Sequence, residues 1–166
     1  MSTTSVKAGS GVGVDAALLV RTLDEGYGPG AWHGPDLKAA LADVPEALAF
    51  WRPAPGRHNI AEIALHHAYY VRSVRSRLTG VAAEPFPFEG DDWFAMPGSG
   101  GTPSWSEIGR LVAGEYERLA AAVREIGDGS LKAALPPDEC FGTALGLTCH
   151  AVYHAGQVQL IKRLHG

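Results

Sequence analysis

At 166 residues, 46% hydrophobic and 19% charged, the chain has the length and composition of one ordinary globular domain. Its net charge of −4 leaves no electrostatic footprint for nucleic acid or an anionic membrane surface, and no run approaches the ~18 apolar residues of a bilayer-spanning helix. Two cysteines, Cys140 and Cys149, make no disulfide framework, which points to a reducing cytoplasm.

Residues 1–13 are small and polar and lack the apolar core of a signal peptide. They read as a flexible tail before a single domain over 14–166. Val14 to Glu25 predicts a short helix that Gly26-Tyr27-Gly28-Pro29-Gly30 breaks. After a turn at Ala31-Trp32-His33-Gly34-Pro35, Pro35 and Asp36 open a second short helix through Leu41. The two pieces read as one interrupted first helix. Pro45 to Pro55 is a connector with a short helical turn. Asn59 with Glu62 makes a capping box, and apolar residues from Ile60 to Leu78 keep helical spacing until Gly80 ends the run. Val81 to Pro103 is a long loop carrying Phe86, Phe88, Trp93, Phe94 and Met96. The plain reading plugs these onto the bundle; the sharper one has Trp93 or Phe94 cover a pocket.

Ser104 and Glu107 form a second capping box for a helix through about Ile126, stopped by Gly127-Asp128-Gly129. Leu131 to Leu135 is irregular or strand-like, Pro136-Pro137 imposes a bend, and Thr143 caps the final helix. Four helical units without a convincing strand predict an all-α four-helix bundle, its first helix interrupted and a long loop between helices 2 and 3.

Within the last helix, His150 and His154 are four apart and share a face with Leu147, Ala151, Val158 and Ile161. Both imidazoles then point into the core, where polar groups need partners. The plain reading is a pair of neutral, hydrogen-bonded core histidines; a metal ion would satisfy both at once. Helix 2 offers a third ligand as His66 or His67, which lie about 100° apart around the axis. Spacing alone puts His67 nearer the centre of the apolar stripe and favours it. Three neutral imidazoles suit zinc or nickel and leave a position open, where a water or thiol loses its proton more readily. Glu62, one turn before His66, and Gln157, one turn after His154, are candidates to orient those rings; a capping box and a packing contact explain them equally well. Cys149 points away from the pair and reads as a buried, inert thiol, while Cys140 sits before the last helix. His33 and His58 read as surface histidines, with His33 also able to reach a pocket. Tyr69, Tyr70 and Tyr153 read as core or interface aromatics.

Asn59-Ile60-Ala61-Glu62-Ile63-Ala64-Leu65-His66 resembles the second-helix signature of the DinB-like superfamily, and His150-Ala151-Val152-Tyr153-His154-Ala155-Gly156-Gln157 resembles its C-terminal signature. The resemblance runs from about Val14 to Arg163 and takes in the Trp51-Arg52-Pro53-Ala54-Pro55-Gly56 lead-in. It implies a four-helix bundle, often a homodimer, with a metal triad of one histidine from helix 2 and two from the last helix. By that resemblance the helix 2 ligand is His66, which follows the Ala-Glu pair at the family's distance. His67 departs from the family's usual apolar residue there; it is a core histidine, a group that orients a ligand, or the ligand itself. The Gly-rich interruption before His33 also departs from the family's more continuous first helix. Members include bacillithiol and mycothiol S-transferases, a thiol-dependent maleylpyruvate isomerase and metal-dependent hydrolases. The resemblance therefore implies a metal-dependent enzyme acting on a small molecule, a thiol S-transferase with a low-molecular-weight thiol or, second, a hydrolase. The rival expectation is a non-enzymatic, metal-binding, stress-associated bundle dimer, and a third is a metal-free bundle whose histidines hydrogen-bond.

Overall fold

The computed structural model describes residues 13–94, 96 and 103–166. The expected tail therefore lies outside the described residues, apart from Gly13. Six helices follow in order: α1 (Ala16–Tyr27), α2 (Leu37–Leu41), α3 (Glu46–Phe50), α4 (Ile60–Thr79), α5 (Trp105–Asp128) and α6 (Pro137–His165). No strand occurs among the described residues, so the fold is an all-helical bundle. α4 packs on α5 and α6, and α1 packs on α5 and α6, so the four longest helices close a ring; α2 adds to the α6 side.

The helix ends follow the caps. Asn59 accepts from the Glu62 amide while the Glu62 carboxylate takes the Asn59 N–H, and Ser104 with Glu107 does the same for α5. Gly80 and Gly129 end α4 and α5 in the left-handed region, where glycine pays no Cβ penalty. Leu131–Leu135 forms bends rather than a strand, tied by the Ala134 N–H to the Leu78 carbonyl at 2.9 Å.

Two expected boundaries are corrected. α6 does not start at Thr143; it starts at Pro137, with Pro136 as N-cap. Proline at the first helical position lacks only an N–H that would be unpaired anyway, and Asp138 and Glu139 complement the dipole of the first turn. Cys140 consequently lies inside the helix and is buried. Likewise α1 does not break at Gly26. It continues to Tyr27, and Gly28 at φ 107° is the C-cap. Gly26 is buried, and a Cβ there would lie 2.9 Å from the Thr148 backbone, so the glycine serves close approach of α1 to α6.

The apolar side chains form two clusters. One gathers α2, α3, the N-terminal half of α4 and the C-terminal half of α6. The other gathers α1 with the opposite halves of α4, α5 and α6. His66, His67, His150 and His154 fall between Leu65 and Val71 of α4 and around Ala151 of α6, where the clusters meet. The loop after α4 is fastened from beneath. Phe86 and Phe88 pack against the first cluster and Phe94 and Met96 are buried in it, while Arg72 donates to the Glu84 and Pro85 carbonyls. The same Arg72 pairs with Glu115, which is fully buried.

Gly26→Ala should therefore lower stability. Alanine gains about 1 kcal/mol of helix propensity, but a backbone neighbour cannot yield, so overpacking of up to about 3 kcal/mol outweighs it. Gly109→Ala in α5, where no atom of the described residues lies within 4 Å of the added Cβ, should gain about 1 kcal/mol. Chemical denaturation of both variants checks the pair; a stabilised Gly26→Ala would contradict the packing.

Candidate metal centre

α4 delivers His66 and His67, and α6 delivers His150 and His154. The structure brings His66, His150 and His154 together: their nearest ring nitrogens all lie within 4.8 Å of one another. The His66 ring stands edge-on to both α6 rings, with centroids 5.0 Å away in each case. Nε2 of His150 and Nε2 of His154 face each other at 2.6 Å.

The outer nitrogens decide which atoms are free. Nδ1 of His66 donates to the Asp92 carbonyl at 2.7 Å, and Nδ1 of His154 donates to Oε1 of Gln157 at 2.7 Å. With the proton on Nδ1, the lone pair of each ring is on Nε2 and points inward. Bonds of about 2.0–2.1 Å to a tetrahedral ion put donor atoms about 3.3 Å apart. The observed separations, from 2.6 Å to within 4.8 Å, bracket that value. The outer bonds fix the tautomers of His66 and His154, and His150 presents Nε2 to them; three neutral imidazoles are the donor set a borderline divalent ion takes, so the residues fit such an ion.

Burial reinforces the neutral state. Desolvation pushes His66 and His150 below the usual imidazole range, and His154 down to about 4. For His154 the bond to Gln157 works in the opposite direction and is outweighed.

His67 is placed differently. It is 1% exposed, its ring lies parallel to Tyr27 with centroids 5.8 Å apart, and among the described residues neither ring nitrogen has a hydrogen-bond partner. Its ring lies 5.9 Å from that of His150, but it is outside the converging set. Glu62 does not reach His66 either. Its carboxylate takes the Arg52 guanidinium, His58 and the amides of Asn59 and Met96. Burial works to raise the Glu62 carboxyl; the Arg52, Met96 and His58 hydrogen bonds outweigh it and hold the group below the usual carboxylate range. Glu62 thus ties the loop to α4. His33 is exposed, bonds the Glu25 carbonyl and lies off the cavity. Cys149 is exposed, not buried, because it lies on the side of α6 turned away from the buried Ala144, Ala151 and Ala155.

Trp93 covers the site. Its ring lies parallel to His66 with centroids 3.9 Å apart, and parallel to His58 at 3.6 Å. Phe94, the other aromatic expected at a pocket, is instead in the core. Tyr69 packs on the core, whereas Tyr70 and Tyr153 line the cavity beside the histidines. Three participants carried no clear mark in the sequence. Asp92 acts through its backbone carbonyl, which any residue could supply. His58 looked like a residue before a cap. Tyr70 looked like one aromatic among several; only its four-residue distance from His66 hinted at a shared face.

A family model described as the DinB superfamily matches residues 31–158, a span that includes His66, His150 and His154. No curated protein and no solved structure matches the chain.

The unpartnered His67 has a measurable consequence. Burial, then the neighbouring histidines, hold it well below its ordinary value. An imidazole with a folded pKa below its unfolded value near 6.5 binds fewer protons when folded. Its stability contribution is complete above about pH 6.5 and is lost as pH falls through the window beneath. Metal-free protein should therefore lose stability from about pH 6.5 towards the His154 value of about 4. His67→Leu should raise stability at neutral pH by about 1 kcal/mol and reduce the acid loss, since it removes a buried polar ring with no partner. Urea titrations across that range check this; an unchanged acid limb would contradict it.

Proposed function

The chain belongs to the DinB superfamily, and from that premise we propose that it is a metal-dependent enzyme whose divalent ion, zinc or nickel, is held by His66, His150 and His154. One observation carries the reading: Nδ1 of His66 and Nδ1 of His154 are both engaged by oxygen acceptors, leaving their Nε2 lone pairs directed at a common point with His150. Such an ion supplies a Lewis acid with an open position that makes a bound water or thiol more acidic.

The protein's own residues do the rest. Asp92 and Gln157 hold two of the rings in orientation, and Trp93 shields the His66 ring from water. Tyr70 stands 4.6 Å from the His150 ring with its hydroxyl directed to the Asp92 carboxylate. Among the described residues, the carboxylate beside the histidines is that of Asp92, which approaches the outward Nδ1 of His66 at 4.0 Å and does not line the cavity; Asp138 and Glu139 line the cavity's distant end. A thiol needs less help, since its own pKa lies near 8.5. Thiol S-transfer is accordingly favoured over hydrolysis. The thiol proton passes to solvent, sulfur attacks an electrophilic carbon of the small-molecule substrate, the C–S bond forms, and the leaving group departs with its electron pair. A low-molecular-weight thiol of this kind belongs to the reducing cytoplasm. No helix among the described residues is long and apolar enough to cross a membrane.

A homodimer is part of the same proposal. Phe141, Leu145, Cys149, Leu160 and Leu164 are exposed along one side of the 29-residue α6. Exposed apolar residues grouped on one face mark a protein–protein contact.

Zinc titration by calorimetry should give one site per chain. His66→Ala, His150→Ala and His154→Ala should each abolish stoichiometric binding. Gln157→Ala should weaken it by about tenfold, and His67→Ala should retain it. Loaded protein should accelerate the conjugation of a thiol to an alkyl halide, and the three ligand variants should not. Retention of zinc by His66→Ala with loss in His67→Ala would overturn the ligand set. Zinc that raises the melting temperature without turnover of any thiol would fit a structural ion in a stress-associated dimer.

A further inference from the structure

The cavity at the histidines extends well beyond them. It has a volume of about 970 Å³ and runs along the seam between α4 and α6, at the upper end of the range for small-molecule sites. On α4 its wall passes from Tyr70 through Val74 to Arg77, one face at successive turns. On α6 it passes from His150 through Gly146 and Gly142 to Asp138, at intervals of four. At 1.5 Å per residue, Arg77 lies about 16 Å along α4 from His66, and Asp138 about 18 Å along α6 from His150.

The chemistry changes along that length. The histidine end is aromatic, with Trp93, Tyr70 and Tyr153 around the imidazoles. The middle is apolar and bare: Val74 and Leu147 form its sides, and no atom of the described residues lies within 4 Å of a Cβ built on Gly142 or Gly146. The far end is charged, lined by Arg77 on the last turn of α4 and by Asp138 and Glu139 on the first turn of α6. All three are exposed, and none forms an ion pair among the described residues. A cation and two anions held at one end of a groove, and not neutralising each other, complement a ligand that carries both signs.

We propose that this groove seats an elongated substrate with an amino-acid tail. The reactive end lies at the three histidines, the body crosses the glycine floor, the tail carboxylate binds Arg77, and the tail ammonium binds Asp138 and Glu139. The placement of the reactive end rests on the metal-site reading above; the tail site does not.

S-methylglutathione tests the tail site without any free thiol, because it carries a γ-glutamyl ammonium and carboxylate and a capped sulfur. Titrated into metal-free and zinc-loaded protein, it should shift backbone amide NMR signals of Arg77 and of residues 138–146 in both. 2-(Methylthio)ethanol, the same thioether without the tail, should bind at least tenfold more weakly. Arg77→Ala removes a charge-assisted contact, and Gly146→Leu fills the floor; each should weaken S-methylglutathione by about tenfold or more. Zinc affinity should be unchanged in both variants, which also shows that they fold. Shifts confined to other regions, no preference for the tailed ligand, or full affinity in both variants would overturn the proposal. Loss of tail binding with intact zinc binding defeats the groove alone; tail binding without zinc binding defeats the metal reading alone.

Discussion

Three imidazoles facing one another in an apolar seam are tolerable only if their ring nitrogens are accounted for. Here the accounting is divided between inside and outside. Outward, His66 and His154 donate to the Asp92 carbonyl and to Gln157; inward, the Nε2 lone pair of His154 accepts from Nε2 of His150, a proton that a shared ion would displace. Much of the surrounding structure serves this arrangement. α4 and α6 must pack closely enough to bring the rings together, and the loop after α4 must return far enough to place one carbonyl on His66.

The loop is therefore part of the centre. Glu62 holds the Met96 amide while remaining the capping-box partner of Asn59 at the start of α4, and Arg72, further along that helix, holds the Glu84 and Pro85 carbonyls. Between these anchors, Asp92 and Trp93 come down on His66. The hydrogen bond to Asp92 sets the tautomer, and the stacked indole excludes solvent from one face of the ring. His67, one residue on, has no such partners and faces Tyr27 in the interior. The contrast separates two adjacent histidines that spacing alone ranks the other way.

Much of this was legible in the chain. Capping boxes at Asn59 and Ser104, with glycines at 80 and 129, define α4 and α5 because local hydrogen bonding decides helix ends. The spacing of His150 and His154 places both on one face, since helical geometry leaves no alternative. Other features depend on what a segment meets. Gly26 looks like a breaker but is set by the Thr148 backbone across the bundle. Pro136-Pro137 looks like a bend, yet Pro137 is a favourable first helical residue, so α6 begins six residues before the expected cap. Spacing placed His67 at the centre of its stripe, and it is the more buried residue. Burial is not ligation, and the family signature rather than periodicity points to His66. The roles of Asp92 and of the Glu62 tether are long-range or made by backbone atoms, which residue type does not encode.

The account stands on three imidazoles from two helices sharing one ion while leaving part of its coordination free. X-ray absorption at the zinc edge of the loaded protein tests this most directly. The account predicts a first shell of three imidazole nitrogens at about 2.0–2.1 Å, completed by a light-atom ligand that sulfur replaces when a thiol is added. Two or fewer imidazoles in that shell, or four protein ligands that no thiol displaces, would contradict it.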